Sequence, residues 1–490
     1  MYGIGAAARV YFGRPAAQLA LAEAATLAAM IQAPNRLSPR HDTKALVARR
    51  DWVLSRMEEL GWAKPADVAR AKAAPLGAKG GAPTNSAPTH LLSWVASQVQ
   101  REEKARADEG RGFLVETTLD PLLQDQAERA VRRRLDALRR GYTRLRSAKL
   151  SAALVALDAR SGAVLAYVGG HPDDKPGSFD RARSAKRQPG SVVKPFVALE
   201  ALDACGDEEP LTASSRILDA PLRIERPSGP WSPENFDHEF HGPVLLREAL
   251  AESRNVPAVR IARHCGFTAT AARFEKLGLD LPDDPPPSFV LGAVETSPLV
   301  VAGAYTVFAT PGRVLEPYAV ARVETPAGTG LSRGGPSDRR ASSASAAYIV
   351  RDLLRTAVEE GTAAGSAIAG LDVAAKTGTS SELRDAWFAG HAGSIVVVAW
   401  IGLDDNGRLG LTGAAAAGPL WRDFVAKAAV ARPAYDVERP RDVVSAWVQD
   451  KTGLLVGEGR ADAREELYRR SELPRRKHWW RIDHPLPVID

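Results

Sequence analysis

The first 75 residues of the 490-residue chain place apolar side chains at helical spacing. Apolar positions recur every three or four residues over 15–31 and 44–73, and the turn-rich stretch APNRLSPRHD (33–42) separates the two segments. Residues 74–89 (APLGAKGGAPTNSAPT) offer little to bury, which is typical of an exposed connector. The pattern predicts a small all-α unit over residues 1–75 and a domain boundary within the connector.

From about residue 150 the period of the apolar pattern changes. AALVALD (152–158) and AVLAYVG (163–169) are short apolar runs joined by ARSG, a hairpin signature, and residues 371–405 contain three more runs, predicted to be successive strands of a meander. Helical spacing separates these clusters over 241–266, and returns after a low-complexity loop at 325–346. This alternation predicts the α+β class, with an antiparallel sheet sandwiched by helices.

The other segments are assigned around this sheet. Residues 76–150 are predicted as a linker region, in which Pro121 starts an amphipathic helix. Residues 151–432 form the main domain, and residues 433–490 form a C-terminal tail or a small extension. Several units are expected because one hydrophobic core rarely serves more than about 250–300 residues.

Composition excludes several classes of function. The net charge of +6 comes from scattered basic residues, and local surpluses at 129–149 and 464–481 are interpreted as solvated faces, so no nucleic-acid partner is predicted. Only Cys205 and Cys265 occur, which excludes a disulfide framework and a CxxC metal site, and we expect two lone buried thiols. Because HEFH (238–241) has the wrong spacing for zinc and no HExxH is present, no metal and no cofactor are predicted.

The stretch RQPGSVVKPF sets a serine and a lysine three places apart. On a helix these positions share a face, so the Ser191 hydroxyl and the Lys194 amine can approach hydrogen-bonding distance. Pro195 is tolerated only in a first turn, which predicts a helix start close to Ser191. A serine is a good nucleophile only when a base takes its proton, and a lysine with a free pKa of about 10.4 is that base only if burial or a second cation lowers its pKa. The pair therefore predicts another positive group nearby.

Two further motifs carry matching chemistry. Ser253-Arg254-Asn255 lies at a predicted break between helices, where a hydroxyl and a carboxamide can relay a proton and bind a peptide amide, although helix capping is the alternative. In LDVAAKTGTS the lysine supplies the predicted cation, the threonine hydroxyls suit a carboxylate, and one threonine N–H can pair with that of the nucleophilic serine as an oxyanion hole. This second set of candidates comprises Lys376, Thr377, Gly378, Thr379 and Ser380.

Two rival motifs are rejected. Residues 370–377 nearly match the phosphate loop GxxxxGK[ST], but Ala375 breaks the pattern and no helix start follows. GLSRG (330–334) fits the nucleophile elbow GxSxG, but it lies in a loop-like segment with no preceding strand.

The order SxxK, SxN, KTG is the motif set of class A β-lactamases and penicillin-binding proteins. Over nearly its whole length the chain resembles a class A penicillin-binding protein, and it is most similar to the 1C type. The resemblance implies the penicillin-binding/β-lactamase-like transpeptidase fold for residues 151–432. The stretches that carry it are RQPGSVVKPFVALEAL, ENFDHEFHGPVLLREALAESRNVPAV, LGAVETSPLVVAGAYTVFA and AAKTGTSSELRDAWFAGH.

The resemblance also implies roles for the motif residues. Ser191 is expected to be the acylated nucleophile, with Lys194 as its base and Ser253 as the proton relay to the leaving amine. The substrate-binding set, in which Asn255 holds the donor peptide and the KTG strand binds its terminal carboxylate, is Asn255, Thr377, Gly378, Thr379 and Ser380, with Lys376 among the catalytic residues. Ala375 departs from the glycine that is usual before KTG.

Residues 1–75 resemble only the closing part of the family's helical glycosyltransferase domain. The catalytic glutamates and membrane anchor of that domain belong upstream of this part, so we expect no glycan polymerisation by this polypeptide unless residues before Met1 are missing. Glu23 is interpreted as a solvated helix residue. The N-terminus has neither an export-signal pattern nor an uncharged stretch of about 18 residues, so no signal and no span are predicted.

The expected function is a peptidoglycan D,D-transpeptidase that acts through a serine acyl-enzyme and is inhibited by penicillin. A D,D-carboxypeptidase, a β-lactamase, and a penicillin-binding sensor or scaffold without catalysis are the alternatives. By resemblance, the partners are peptidoglycan stem peptides, β-lactams and other cell-wall synthesis proteins, with a membrane met only through a missing anchor. The same resemblance places the protein on the periplasmic side of the bacterial cytoplasmic membrane.

Overall fold

A computed structural model describes most of the chain, in two compact units, Met1–Ala87 and Pro88–Asp490. The division falls within the predicted connector 74–89, of which residues 78–88 lie outside the described part. Most of the predicted turn 33–42 also lies outside it. The described residues are 4–12, 16–33, 37, 39, 42–77, 89–106, 113–175, 177–205, 210–227, 229–324, 330–429, 432, 435–473 and 488–490.

The first unit is helical, as its sequence pattern predicts. Its helices are α1 (Ile4–Phe12), α2 (Leu21–Met30), α3 (Thr43–Glu59) and α4 (Pro65–Ala73). Asp42 caps α3 by accepting from Ala45 N at 2.9 Å. Glu23 accepts from Ala20 N at 2.8 Å, so it caps the first turn of α2 and is not simply a solvated residue. The buried guanidinium of Arg50 donates to the carbonyls at the end of α4, which fastens α4 to α3.

The second unit contains the remaining helices and all the described strands. The helices are α5 (Thr89–Arg106), α6 (Pro121–Gly141), α7 (Lys194–Asp203), α8 (Leu246–Ala251), α9 (Asn255–Cys265), α10 (Phe267–Lys276), α11 (Pro298–Ala309), α12 (Ala344–Glu359) and α13 (Gly413–Ala428). The strands are β1 (Leu114–Thr117), β2 (Leu150–Asp158), β3 (Val164–Val168), β4 (Arg216–Asp219), β5 (Gly242–Leu245), β6 (Arg313–Leu315), β7 (Val320–Glu324), β8 (Gly330–Arg333), β9 (Asp338–Arg340), β10 (Val373–Thr379), β11 (Asp385–Ala392), β12 (Ile395–Leu403), β13 (Val443–Gln449), β14 (Ala463–Arg469) and β15 (Val488–Ile489).

The centre of this unit is a five-stranded antiparallel sheet of order β10-β11-β12-β2-β3. It joins the predicted hairpin to the predicted meander. Its strands read as continuous apolar runs because both faces are covered. Helices α6 and α13 pack on one face, and α11, α12 and α7 lie on the other with a cluster of aromatic rings around Phe196. The expected α+β class, with an antiparallel sheet between helices, is confirmed.

Several sequence-based boundaries need correction. Residues 89–150, predicted as a linker region, contain α5, β1 and α6, and the apolar face of α6 is buried against the sheet. The predicted loop 325–346 contains strands β8 and β9, while residues 325–329 lie outside the described part. Of the 433–490 extension, β13 and β14 form a hairpin, β15 pairs with β4, and residues 474–487 are outside the described part. These short strands lack a clear apolar period, which is why sequence patterning missed them.

The expectation of two lone thiols is wrong. Cys265 ends α9, Cys205 follows α7, and the two sulfurs form a disulfide across 60 residues of sequence. Sequence gave no sign of this because the pairing requires α7 and α9 to pack side by side. In the chain-entropy account, a disulfide that closes a loop of this length restricts the unfolded chain and so stabilises the folded state by roughly 4 kcal/mol.

None of the helices in the described part of the chain combines the length and apolarity needed to cross a membrane.

A buried ion pair fastens the C-terminal hairpin to the main domain. Arg247, in α8, donates to Glu466 Oε2 at 2.7 Å, and Glu466 on β14 is fully buried. The same guanidinium donates to Asp352 Oδ2 at 2.6 Å and Thr356 Oγ1 at 2.6 Å on α12. Arg247 therefore joins α8, α12 and the hairpin at one point.

We expect Glu466→Gln to lower the free energy of unfolding by about 3 kcal/mol, because it leaves a buried guanidinium with less neutralising charge. The matched control is Glu465→Gln, whose side chain is exposed, and its effect should stay within about 0.5 kcal/mol. Chemical denaturation of the whole chain measures both. Equal effects of the two substitutions would contradict the structural role given to Glu466.

Candidate active site

Ser191 lies in a 3₁₀ turn, Gly190–Val193, that leads directly into α7. The predicted helix start close to this serine is therefore confirmed. Gly190 has a φ of +55°, and a Cβ there would overlap the carbonyl of Thr379, so the turn presses against the end of β10. The Tyr305 hydroxyl, on α11, donates a hydrogen bond to Val192 O at 2.6 Å and so ties the turn to that helix.

Lys194, at the start of α7, is buried with 2% of its surface exposed. Its Nζ donates to the carbonyl oxygen of Ser253 and to Asn255 Oδ1 at 2.6 Å, and Ser253 Oγ lies at 3.4 Å. Among the described residues, its hydrogen bonds go to this turn and not to Ser191, which differs from the direct contact expected at i, i+3. The amine thus connects the SxxK and SxN motifs.

The SxN motif forms a tight turn between α8 and α9. Ser253 has a φ of +63°, a left-handed conformation that is uncommon for a residue other than glycine. Asn235 Oδ1 accepts from Asn255 N at 2.8 Å and from Val256 N at 3.2 Å, so this side chain from a separate loop caps the N-terminus of α9. Asn255 Nδ2 donates to Glu234 O at 2.7 Å, which fixes which carboxamide atom faces the lysine.

Arg254, the middle residue of SxN, extends into a polar network. Its Nε donates to Asp219 Oδ2 at 2.9 Å, and its two terminal nitrogens donate to Asp237 Oδ2 and Glu239 O, each at 2.6 Å. The side chain is almost fully buried. This network holds the SxN turn through the side chain between Ser253 and Asn255.

The KTG motif occupies the last residues of β10. Lys376 is fully buried, and its Nζ donates to Thr377 O at 3.2 Å and to Thr362 Oγ1 at 3.5 Å. Thr377 Oγ1 donates to Thr362 Oγ1 at 2.9 Å. Thr379 Oγ1 accepts at 3.0 Å from the backbone N–H of Gly413, which is the first residue of α13. The threonine hydroxyls are thus oriented by groups outside the motif.

Ser380 and Gly378 serve the packing around the same strand. Ser380 Oγ accepts from Asp385 N at 2.8 Å, which closes the turn from β10 to β11. A Cβ at Gly378 would meet Pro189 O at 2.5 Å, so only glycine lets the strand approach the backbone before Ser191.

Burial and neighbouring charges lower the basicity of both lysines. Burial, assisted by the charges of Lys376 and Arg254, holds the pKa of Lys194 well below its usual value of 10.5. Burial also lowers the pKa of Lys376 to about 7. The second amine predicted from sequence is therefore close enough to lower the pKa of Lys194, and Arg254 adds a further positive charge to which the sequence analysis gave no electrostatic role.

Ser191 opens onto a cleft of about 1030 Å³. Ser253, Asn255, Thr377, Thr379 and Ser380 also line it. Lys194 and Lys376 reach it through their bonds to the SxN turn and to Thr377, and Gly378 packs against the backbone at its edge. The structure brings all nine predicted site residues to one place.

The unusual Ala375 is accommodated by its cross-strand neighbour. It pairs with Gly390 on β11, and a Cβ at Gly390 would lie 2.5 Å from the Ala375 Cβ. The small partner absorbs the methyl group, so strand geometry at KTG is preserved.

Sequence reasoning missed three groups that support the site: Asn235, Asp219 and Thr362. Asn235 holds α9, Asp219 binds Arg254 and Asn235, and Thr362 binds the KTG strand. Each lies on a loop or strand outside the three catalytic motifs, so the contacts that give it a role are seen only in the tertiary structure.

The rejected motifs are also explained. β10 is followed by a 3₁₀ turn at Ser381–Leu383 and not by an α-helix, as a phosphate loop would require. GLSR is strand β8 and not a strand-to-helix turn. Asp237, Glu239 and His241 have ligand atoms within 4.8 Å of one another, but they are exposed and Asp237 already binds Arg254.

Comparison with known proteins places these features in a family. Residues 152–426 match the penicillin-binding protein transpeptidase domain, and residues 1–58 match the transglycosylase family. Penicillin-binding protein 1B of Vibrio cholerae is 32% identical over 87% of this chain and 54% of its own length, and its Escherichia coli counterpart is 32% identical over 86% and 50%. The chain spans about half the length of these curated relatives.

Solved structures agree. The crystal structure of penicillin-binding protein 1A from Haemophilus influenzae superposes with a TM-score of 0.71 at 25% identity, covering 97% of this chain and 90% of that one. PonA1 from Mycobacterium tuberculosis, in complex with penicillin V, gives a TM-score of 0.61 at 25% identity over 72% and 96%. The finer likeness to the 1C type stays a prediction. The chain belongs to the penicillin-binding protein transpeptidase family, as a class A member.

Proposed function

We propose that this chain is a serine-type D,D-transpeptidase that cross-links peptidoglycan stem peptides through an acyl-enzyme on Ser191. The observation that carries the proposal is the position of Lys194, a buried amine bonded to the SxN turn and placed three residues after a serine on a helix N-terminal turn. The lowered pKa of this amine agrees with it. A neutral amine has two N–H donors and one lone pair. Ser253 O and Asn255 Oδ1 accept from the amine, which leaves the lone pair to take a proton.

In the first step, Ser191 Oγ attacks the carbonyl carbon of the penultimate D-Ala while its proton passes to Lys194. The peptide C–N bond then breaks, and the leaving amine takes a proton that Ser253 relays from Lys194. Free D-Ala departs and an ester remains on Ser191. The left-handed Ser253 turn supports the relay, since it holds Ser253 Oγ 3.4 Å from Lys194 Nζ.

In the second step, the amine of a neighbouring stem peptide attacks the ester carbonyl. Its proton returns by the same route to Ser191 Oγ as the ester C–O bond breaks, so the enzyme is restored and a new amide forms. The backbone N–H groups of Ser191 and Thr379 are the proposed oxyanion hole, and the close packing of the 3₁₀ turn on β10 supports their pairing.

The KTG strand is the proposed site for the donor's terminal carboxylate. Thr377 and Thr379 line the cleft, and Lys376, whose Nζ donates to Thr377 O at 3.2 Å, adds positive charge behind them when it is protonated. Asn255 is the proposed ligand of the donor peptide amide. Penicillin imitates that donor, and the similar PonA1 is described in complex with penicillin V, so we propose that β-lactams acylate Ser191.

The proposed location is the outer side of the cytoplasmic membrane, where peptidoglycan lies. The Cys205–Cys265 disulfide supports this, because disulfides persist in oxidising compartments and are rare in the cytosol.

We expect Ser191→Ala to abolish covalent labelling by a fluorescent penicillin, because no other group in the proposal forms the ester. Ser232→Ala, which removes a different serine of the cleft, should label like the unchanged protein. Denaturing gels after incubation measure both. Persistent labelling of the Ser191 variant would refute the assignment of the nucleophile.

Transfer to an amine distinguishes a transpeptidase from a carboxypeptidase. The donor is a stem-peptide thioester and the acceptor is a D-amino acid. We expect the fraction of thioester converted to the aminolysis product to rise with acceptor concentration. Mass spectrometry of the products measures the partition. Hydrolysis alone at all acceptor concentrations would favour the carboxypeptidase alternative, and labelling without turnover would favour a sensor.

The pH dependence of acylation reports on Lys194. A lysine with a lowered pKa becomes neutral as the pH rises through that lower value, so the acylation rate should rise on the acid side and level off well below pH 10.5. Lys376→Met removes a charge that lowers the Lys194 pKa, so it should move this acid limb to higher pH, besides slowing acylation.

The matched control is Lys149→Met, an exposed lysine outside the cleft, which should leave the limb in place. Stopped-flow acylation by benzylpenicillin across pH 5–10 gives the profiles. An acid limb that does not move in the Lys376 variant would contradict the proposed coupling of the two amines.

A further inference from the structure

Arg408 lines the same cleft as Ser191 and has no part in the chemistry above. It lies on the loop between β12 and α13, on the wall formed with Leu383, Thr412 and Ala414. Its side chain is exposed. The position places a permanent positive charge beyond the end of the KTG strand.

The loop that carries Arg408 is firmly held. Asn406 Oδ1 accepts from Arg187 at 2.7 Å, and Asn406 O accepts from Arg384 at 2.9 Å. Gly410 N donates to Leu383 O at 2.8 Å, and Leu409 is fully buried. The backbone on both sides of Arg408 is thus fixed, while its own side chain faces the cleft.

The other charged side chains of the cleft have polar partners nearby, although two of these partners are histidines. Arg254 binds Asp219 and Asp237, and Glu382 binds Arg384 at 2.7 Å. Glu234 and Glu252 lie 2.9 Å and 3.6 Å from histidine nitrogens. Within the described residues, Arg408 has neither a hydrogen bond nor an ion pair. An arginine whose backbone is held and whose side chain has no partner is suited to bind a carboxylate in the cleft, since its planar guanidinium matches two carboxylate oxygens.

We propose that Arg408 is a specificity-determining residue that binds a carboxylate of the donor peptide upstream of the scissile bond. The inference rests on the proposed function. If the donor's terminal carboxylate lies at Thr377 and Thr379, the rest of the donor extends past the end of β10, toward residues 380–383 and Arg408. The ligand class is a peptide with a free carboxylate on a residue before its D-Ala-D-Ala end.

The rival reading is that Arg408 assists the terminal carboxylate itself. The two readings differ in a measurable way. Every penicillin has the ring carboxylate that stands for the donor terminus, but only some have a second carboxylate on the acyl side chain, which stands for upstream residues. Carbenicillin has that second carboxylate, benzylpenicillin has a neutral side chain, and ampicillin has a side-chain ammonium.

The experiment compares second-order acylation rate constants of the three penicillins with the unchanged chain, Arg408→Gln and Arg408→Glu. Arg408→Gln should lower the carbenicillin-to-benzylpenicillin ratio by about threefold to tenfold, the range of a partly solvated charge pair. Arg408→Glu should lower the carbenicillin-to-benzylpenicillin ratio further, and it should raise the ampicillin-to-benzylpenicillin ratio. Arg140→Gln, which removes an equally exposed charge outside the cleft, should change no ratio.

Equal losses for all three penicillins would overturn the inference in favour of the terminal carboxylate, and unchanged rates would overturn it outright. In both cases acylation by benzylpenicillin leaves the proposed function standing. Failure of all three penicillins to acylate the unchanged chain would overturn the proposed function and this inference with it.

Discussion

The candidate site depends on a single physical constraint: two amines share a buried region with little water to solvate their charge. Lys194 and Lys376 are both buried, and burial lowers the pKa of each. The charge of Lys376 lowers the pKa of Lys194 further. Holding Lys376 at a pKa of about 7 opposes folding at neutral pH by on the order of 4 kcal/mol. The burial that opposes folding in this way also favours the neutral form of the amine. The cost in stability and the proposed base therefore have the same cause.

The rest of the domain is arranged to hold this region together. Helices α7 and α9 start at Lys194 and Asn255, whose side chains bond at 2.6 Å, and they are joined near their other ends by the Cys205–Cys265 disulfide. Helix α8, which precedes the SxN turn, is fastened to α12 and the C-terminal hairpin through Arg247. Two helices joined at both ends and a third clamped by a buried ion pair leave the SxN turn little freedom.

Close backbone approach is the second device. The Ser191 turn, the end of β10 and the start of α13 come together at glycines, where any Cβ at Gly190, Gly378 or Gly413 would collide with a neighbouring carbonyl. A glycine also makes room for Ala375 before KTG, because Gly390 is its neighbour on the adjacent strand. The hydroxyls and N–H groups of three distant segments can therefore face one cleft.

The sequence by itself determined the elements and the candidate chemistry. Apolar periodicity gave the sheet and its helices, Pro195 marked the helix start near Ser191, and the low basicity required of Lys194 called for a second cation, which Lys376 supplies. These follow from local rules that act over a few residues. The disulfide, the capping of α9 by Asn235, the partner of Arg247 and the exposure of Arg408 were decided only by tertiary structure. Each is a pairing, or a lack of one, between groups far apart in the chain, and no local pattern encodes which distant side chain will be the neighbour.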